Sequence, residues 1–536
     1  MSADLSCTTL ASDKAEMRVK DPDDRPYKRL VQSMRKSHPN LSNLDELLTR
    51  PSENGLAAAI QFRDDQVSVE RFTRSTDLDE FLKRHAKGDR RLFLLQGLPS
   101  NYIEVLGPSF NIDPNFFARQ IQSGILHTSK GVRDIPLLPS HPTSKESFCI
   151  RYHELREFED PIRDWELRVL DQARRISVTK WNGEFDGVGI VRKNASVWFR
   201  SKGENAWDGT FFYPNQFPIA LRDFGGTINI DSACAAIILV DPPVGDQFYV
   251  GVENSNLPST LRNRLYRGGY VDFSPPVHGD ISSYNAANAG PTRASALEDL
   301  IYYYTKSQLA QSTDYSSPNA VTGVLKQYVA SHWMILLQYS LDLLLKYENT
   351  YHRACFFASL SSSLIQTALR DVQHLNDRVA GWCEQVDRSL KQFKASDTLG
   401  SFPGQKRNET SEDDFIHILH QLRELRQRVQ TVITSMAGLI SIIETMRMKE
   451  LSLLAMVFIP LGLTSGVFSM EGNYAPGGSA FWVFWVVGIS LVLVVFGVAF
   501  GLNPGLSLIR SLKFRKQTFK PAAKQKTSKG SYPETV

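Results

Sequence analysis

Few side chains in this 536-residue sequence stand where their spacing dictates a chemistry. Glu471 and Asn473 are the hard-oxygen groups of a short connection, Glu471-Gly-Asn-Tyr-Ala-Pro-Gly-Gly-Ser479, between two uncharged apolar segments. Read on their own, these residues are a solvated charge and an amide at a helix end. His417 and His420 are three apart and can in principle share a metal ion; with no Cys or third ligand nearby, they read better as a polar helix face. Ser411-Glu-Asp-Asp414 pairs acids, as a helix start with a capping residue and first-turn acids also does. His153-Glu154 lacks a second histidine, Gly225-Gly226 lacks a phosphate-binding continuation, and there is no Walker loop, EF-hand spacing or Rossmann fingerprint. No constellation supports an enzyme. The five cysteines are far apart and form no C-x-x-C pair, so they read as reduced thiols, neither a disulfide framework nor a zinc site.

The elements that must position these groups divide the chain unevenly. With 42% hydrophobic and 22% charged residues and a mean hydropathy of −0.24, the average is that of a soluble multidomain protein, and collagen-like or wholly disordered classes are excluded. The net charge of +4 is not spread evenly. Ser507–Val536 carries eight Lys and Arg against one acid, so a tail of +7 follows a remainder of −3.

Residues 1–65 are polar and poorly patterned, and the expectation there is disorder with a short helix near Leu44–Leu48. Residues 66–293 show short apolar runs punctuated by Gly, Pro, Asn and Asp, which predicts an α/β or α+β domain. Arg91–Leu95, Phe148–Tyr152, Gly187–Val191, Ser196–Phe199 and Ala235–Val240 read as strands, Leu78–His85 and Pro114–Ile121 as helices. Residues 294–410 are expected to be a helical part of the same domain, with long helices over Ala320–Tyr351 and Leu360–Phe393 and a polar loop from Ala395. From Phe415 through Ile418, Leu422, Leu425, Val429, Val432, Met436, Leu439 and Ile443 to Met446, apolar residues recur at spacings of three and four, the signature of a coiled coil or a long helix packed along one seam. This predicts a stalk helix over 411–450 that runs on without a stop signal.

Two uncharged segments, 451–470 and 481–502, have the length that crosses a hydrocarbon core of ~30 Å. A buried helical hairpin of a soluble protein is the competing reading. The connection at 471–480 has no Lys or Arg, whereas Arg447 and Lys449 precede the first segment and the basic tail, 503–536, follows the second. Basic flanks stay cytosolic, so the expectation is a two-span integral membrane protein with both termini in the cytosol. The plasma membrane is preferred to an organelle as its host. The tail reads as an anchor to anionic headgroups rather than a nucleic-acid site.

Leu451–Pro476 resembles the first transmembrane helix and outer loop of the CorA-type magnesium transporters, through Phe458, Pro460-Leu461, Gly466, Met470, Tyr474 and Pro476. The surrounding order also resembles that family, in particular its divergent fungal members: an N-terminal α/β domain, long stalk helices and a two-span C-terminal transmembrane hairpin. The resemblance implies a funnel-shaped homopentamer that moves Mg²⁺ or another divalent cation, needs no cofactor, and senses intracellular Mg²⁺ through acidic side chains between subunits. It implies a pore lined by Met448, Leu451, Ala455, Ile459, Gly462 and Gly466, which helical periodicity also places on one face. Such a small-residue face serves equally as a helix-packing surface. Pro460 is where the family's first span carries a proline, implying a modest kink.

The pore-mouth motif departs from the family. Where CorA-type proteins have Gly-Met-Asn, this chain has Ser469-Met470-Glu471, with Asn473 two residues on. In a pentamer Glu471 would form a ring of carboxylates and the metal-binding position of the mouth. Conduction with altered selectivity and retention of ions at the mouth both follow from such a ring. A non-conducting membrane-anchored scaffold that kept the fold and lost the motif is the alternative function.

Overall fold

The computed structural model describes residues 25–52, 55–63, 66–84, 90–122, 147–159, 167–169, 174–181, 184–200, 234–250, 257–274, 290–307, 310, 318–357, 362–400, 409–468 and 477–502. The chain divides into two compact units, Met1–Met436 and Ala437–Val536.

The first unit is organised by one mixed sheet of eleven strands. In chain order these are β1 (Leu56–Arg63), β2 (Gln66–Phe72), β3 (Arg90–Gln96), β4 (Ser147–Phe158), β5 (Leu167–Val169), β6 (Arg174–Trp181), β7 (Glu184–Arg200), β8 (Cys234–Val240), β9 (Gln247–Val250), β10 (Leu257–Thr260) and β11 (Asn263–Leu265). The path runs β10-β9-β5-β6-β7-β8-β3-β1-β2, with β4 bonded to both β7 and β11. Only β3 and β8 pair in parallel; every other ladder is antiparallel.

Strand alternation divides the core in two. Ala58, Ile60, Leu92, Leu94, Ala236 and Ile238 point into one buried cluster, while Ala57, Ala59, Phe93, Leu95, Ala235 and Ile237 point into another. A sheet apolar on both sides must be covered on both. Helices α1 (Pro26–Arg35), α2 (Ser42–Thr49), α3 (Ser75–Arg84), α4 (Ser100–Phe110) and α5 (Pro114–Gln122) cover the second side. Helices α6 (Ala296–Thr305), α7 (Pro318–Phe357), α8 (Ser362–Gly400) and the first part of α9 (Glu409–Phe468) cover the first.

This corrects the expected disorder of residues 1–65 wherever they are described. Tyr27, Leu30 and Val31 of α1, and Leu41, Leu44 and Leu48 at α2, are buried at spacings of three and four. Few apolar residues suffice there because each short helix needs one narrow face against a preformed sheet. The Tyr27 hydroxyl donates to the Ile112 carbonyl at 2.8 Å, and the Glu104 carboxylate accepts the Tyr27 and Lys28 amides at the helix start. Residues 1–24 lie outside the described residues.

Two further differences have local causes. The strands expected over Gly187–Val191 and Ser196–Phe199 are one continuous strand, β7, because Lys193 and Asn194 between them are buried and satisfied. The Asn194 amide donates to Asp241 at 2.8 Å, and the Lys193 ammonium donates to the Pro242 carbonyl. Helix α8 also runs to Gly400 rather than yielding to a loop at Ala395, since no breaker stands before that glycine.

The seam of α9 is buried from Phe415 to Met436 in the same cluster as Val379, Val386, Leu390 and Phe393 of α8. Phe393 links the layers: its ring meets Phe148 of β4 edge-on at 5.6 Å and Phe415 of α9 at 5.0 Å, with the Lys326 ammonium 4.4 Å above it. Replacing this fully buried ring by alanine is expected to cost about 3–5 kcal/mol. Chemical denaturation of the full chain in detergent checks this, with the exposed Leu364→Ala change as a control that leaves the midpoint in place.

Candidate functional site

The two units each gather functional groups. In the second, α9 from Ala437 onward is paired with α10 (Trp482–Leu502). The most apolar window of α9 has a mean hydropathy of 2.0 and is only 11% buried. A shorter apolar stretch, Trp482–Val498, follows in α10. α9 meets α10 through Pro460, Leu461, Thr464 and Phe468: Phe468 is edge-on to Phe484 at 6.3 Å, and Thr464 and Leu461 lie against Gly488.

The residues expected to line a pore lie on the other side of α9. Met448 and Leu451 are each 65% exposed and Ile459 is 70% exposed; Ala455 is half-buried, and Gly462 and Gly466 are open, with no atom within 4 Å of an added Cβ. At ~100° per residue their mean direction lies roughly 170° from that of the residues facing α10. These six positions are therefore brought together on one uncovered stripe. Pro460 is buried inside a helix that continues through it. Ser469, Met470, Glu471 and Asn473 lie outside the described residues.

On the N-terminal part of α9, His420 Nδ1 lies 3.6 Å from Glu424, one turn on. Among the described residues no three His, Cys, Asp or Glu side chains are grouped as a metal site. Neither Cys149 nor Cys383 is in a disulfide.

In the first unit the structure assembles a polar cluster that sequence reasoning missed. Glu154 and Arg156 of β4, Lys193 of β7, Asp241 after β8, Asp299 of α6 and His332 of α7 are all buried. The guanidinium of Arg156 donates to Glu154 at 2.5 Å, and Lys193 stands 4.0 Å from it. Burial works to raise the Glu154 carboxyl, but Lys193 and Arg156 outweigh it and hold the group below its ordinary value. The Tyr270 hydroxyl donates to Asp299 at 3.0 Å and the Arg293 amide donates at 2.7 Å, yet burial still pushes the Asp299 carboxyl up to about 6. His332 sits among the rings of Tyr152, Tyr270 and Tyr328, with centroids 5.0, 5.0 and 4.9 Å away, and its Nε2 has no hydrogen-bond partner. A cavity of about 10 Å³, the room of one water, lies between these groups. The signal in the sequence was charge within apolar strand runs, at Glu154-Leu-Arg156 and Lys193. A strand facing solvent on one side carries the same pattern.

Residues 359–502 match the family model described as CorA-like Mg2+ transporter protein. Among solved structures, the chain is similar to the complete structure of the CorA magnesium transporter from Methanocaldococcus jannaschii, with 11% identity, a TM-score of 0.33, and coverage of 82% of this chain and 96% of that one. No curated protein matches. The similarity to that family model covers the C-terminal part of the chain, so the resemblance first carried by Leu451–Pro476 extends through α8, α9 and α10. That family consists of membrane-integral transporters, not enzymes; they need no cofactor, and Mg²⁺ is the ion they move.

The buried histidines make the first unit sensitive to acid. Burial is the main cause that lowers His332 to about 4, with Glu154 opposing and Lys193 and Arg156 assisting. Burial and then Arg192 lower His153 to about 3, against its hydrogen bond with Gln385. Both rings are neutral when folded and take up a proton on unfolding. Their stabilisation is therefore complete above pH 6.5 and is lost as the pH falls towards 4 and below. The His332 share is about 3 kcal/mol. Asp299 acts in the opposite sense, since its raised carboxyl favours the folded state on acidification through about 6. Thermal unfolding of the full chain between pH 7 and 4 is expected to show a falling midpoint, flattened by His332→Gln and steepened by Asp299→Asn.

Proposed function

We propose that this chain is a divalent-cation channel of CorA type, with Mg²⁺ the foremost candidate ion, assembled as a homopentamer around the uncovered stripe of α9. The observation that carries this reading is that stripe. Met448, Leu451, Ile459, Gly462 and Gly466 stand free on the side of α9 turned from α10, within the segment that matches the transporter family. An apolar helix face left bare by its own chain is completed by copies of itself or by lipid, and small residues favour close helix approach. The lower seam residues Leu439, Ile443 and Met446 are likewise only partly covered or exposed, which suits a bundle of stalks.

In this reading residues 451–470 and 481–502 are two spans, both termini are cytosolic, and the basic tail 503–536 lies against anionic headgroups of the plasma membrane. Ser469-Met470-Glu471 and Asn473 form the outer mouth. Five Glu471 carboxylates concentrate cations there and favour partial loss of their hydration shell, a different task from the water-shell recognition open to an amide. The replaced motif also favours a second reading, a non-conducting scaffold that keeps the fold.

Divalent-cation flux into proteoliposomes separates the two for the native chain, Glu471→Asn and Glu471→Ala. The channel reading expects native flux that changes at position 471. Flux absent from the native chain but restored by asparagine supports the scaffold. Native flux indifferent to residue 471 removes the carboxylate ring from the mechanism.

A further inference from the structure

Among the described residues from Ala437 on, only Pro460, Thr464 and Gly488 are buried, and the three meet. Proline has no N–H, so the helical bond from position 460 to the Met456 carbonyl is missing and the ladder is weakened there. One turn later the Thr464 hydroxyl lies 3.0 Å from the Pro460 carbonyl and 2.9 Å from that of Leu461, donating across both acceptors. Thr464 is 4% exposed in a helix whose neighbouring side chains are mostly bare. Opposite it, Gly488 of α10 lies in close approach: an added Cβ would stand 3.3 Å from Leu461 Cδ2, tighter than most such contacts, and 3.4 Å from Thr464 Oγ1.

A back-bonded threonine bends a helix locally, and a glycine admits the closest approach of a second backbone. Together they fix α9 in rotation against α10 at one point. Ile459, Gly462 and Gly466 lie within one turn of that point on the far side, so any rotation about it turns all three together. The mouth residues follow five to nine positions after Thr464 in the chain.

We propose that Thr464, seated on Gly488, is the positioning residue that sets which face of α9 is presented to the permeating ion, and thereby the channel's choice between divalent cations. The inference rests on the channel reading above. It assigns ion selectivity to two residues that neither touch the ion nor belong to the mouth motif.

The test is the ratio of Mg²⁺ to Ca²⁺ flux in proteoliposomes of the full chain, a readout independent of how much protein inserts. Thr464→Ser keeps the hydroxyl and is expected to retain the native ratio. Thr464→Val keeps the shape without the hydrogen bond and is expected to shift the ratio about fivefold. Gly488→Val should shift it as well, and Leu461→Ala, which removes the Cδ2 in its way, should restore it in the double variant. A native chain that conducts, with Thr464→Val and Gly488→Val lowering total flux at an unchanged ratio, leaves these residues a purely structural role and overturns the proposal. A native chain without flux overturns the channel reading instead, so the two failures are distinguishable.

Discussion

One helix, Glu409–Phe468, has to present two different surfaces along its length, and the organisation of the chain follows from that constraint. From Phe415 to Met436 its apolar residues keep to a seam, and α8 buries that seam against the sheet. Beyond Ala437 the apolar residues spread around the whole circumference, and α10 covers one narrow strip. A helix apolar on all sides belongs to a deep core or a bilayer. Among the described residues of its unit only α10 lies against that part. The continuity of the helix means that the same element carries both a soluble-type interface and a surface that requires another environment.

The soluble-type end is anchored by a sheet that is itself two-faced. Alternation along β1, β3 and β8 sends successive side chains to opposite cores, which is why these runs are apolar without a break. Phe393 then ties β4, α8 and α9 into one stack. Close by, the same layer interface admits charge: Glu154 with Arg156 and Lys193, and Asp299 with Tyr270 and Arg293. Carboxylates at such depth are tolerated because each is met by partners: Arg156 of the same strand and the Lys193 charge of β7 for Glu154, the Tyr270 hydroxyl and Arg293 amide for Asp299. The arrangement makes the docking of α6 and α7 on the sheet depend on protonation as well as on packing.

The elements legible in the sequence were those whose pattern has a single cause. The unbroken apolar runs of β3 and β8, the three-four spacing of α9 and the charge-free stretch after Glu450 each admit few structural solutions. The N-terminal helices were illegible because three or four buried residues in each are diluted by a polar, turn-rich composition; only the existing sheet makes them fold. The division of β7 into two strands failed on Lys193 and Asn194, whose partners Asp241 and Pro242 are nearly fifty residues away. The same distance problem hid the Glu154 cluster, whose members come from five separate elements. That Met448, Leu451, Ala455, Ile459, Gly462 and Gly466 share one face of α9 was legible, since helical periodicity needs only one helix. Its seat at Thr464 and Gly488 was not, because a threonine and a glycine in an apolar segment have no pattern until the second helix is placed against the first.

In the proposed pentamer this division of labour has an electrostatic consequence. Met448, Leu451, Ala455, Ile459, Gly462 and Gly466 offer a passing cation no charge and no side-chain oxygen. A divalent ion on that path keeps its water shell or exchanges it for the backbone carbonyls left open beside glycine. Mg²⁺ sheds water reluctantly, so the apolar wall favours the hydrated ion, and the diameter set by the Thr464 contact becomes decisive. All Coulombic attraction then falls on position 471, where five carboxylates would draw the cation by charge. An amide at that position would recognise the hydrated ion without that charge. Substituting the carboxylate moves the mouth from recognising a water shell to concentrating charge, and leaves discrimination among divalent ions to the width of the wall below it.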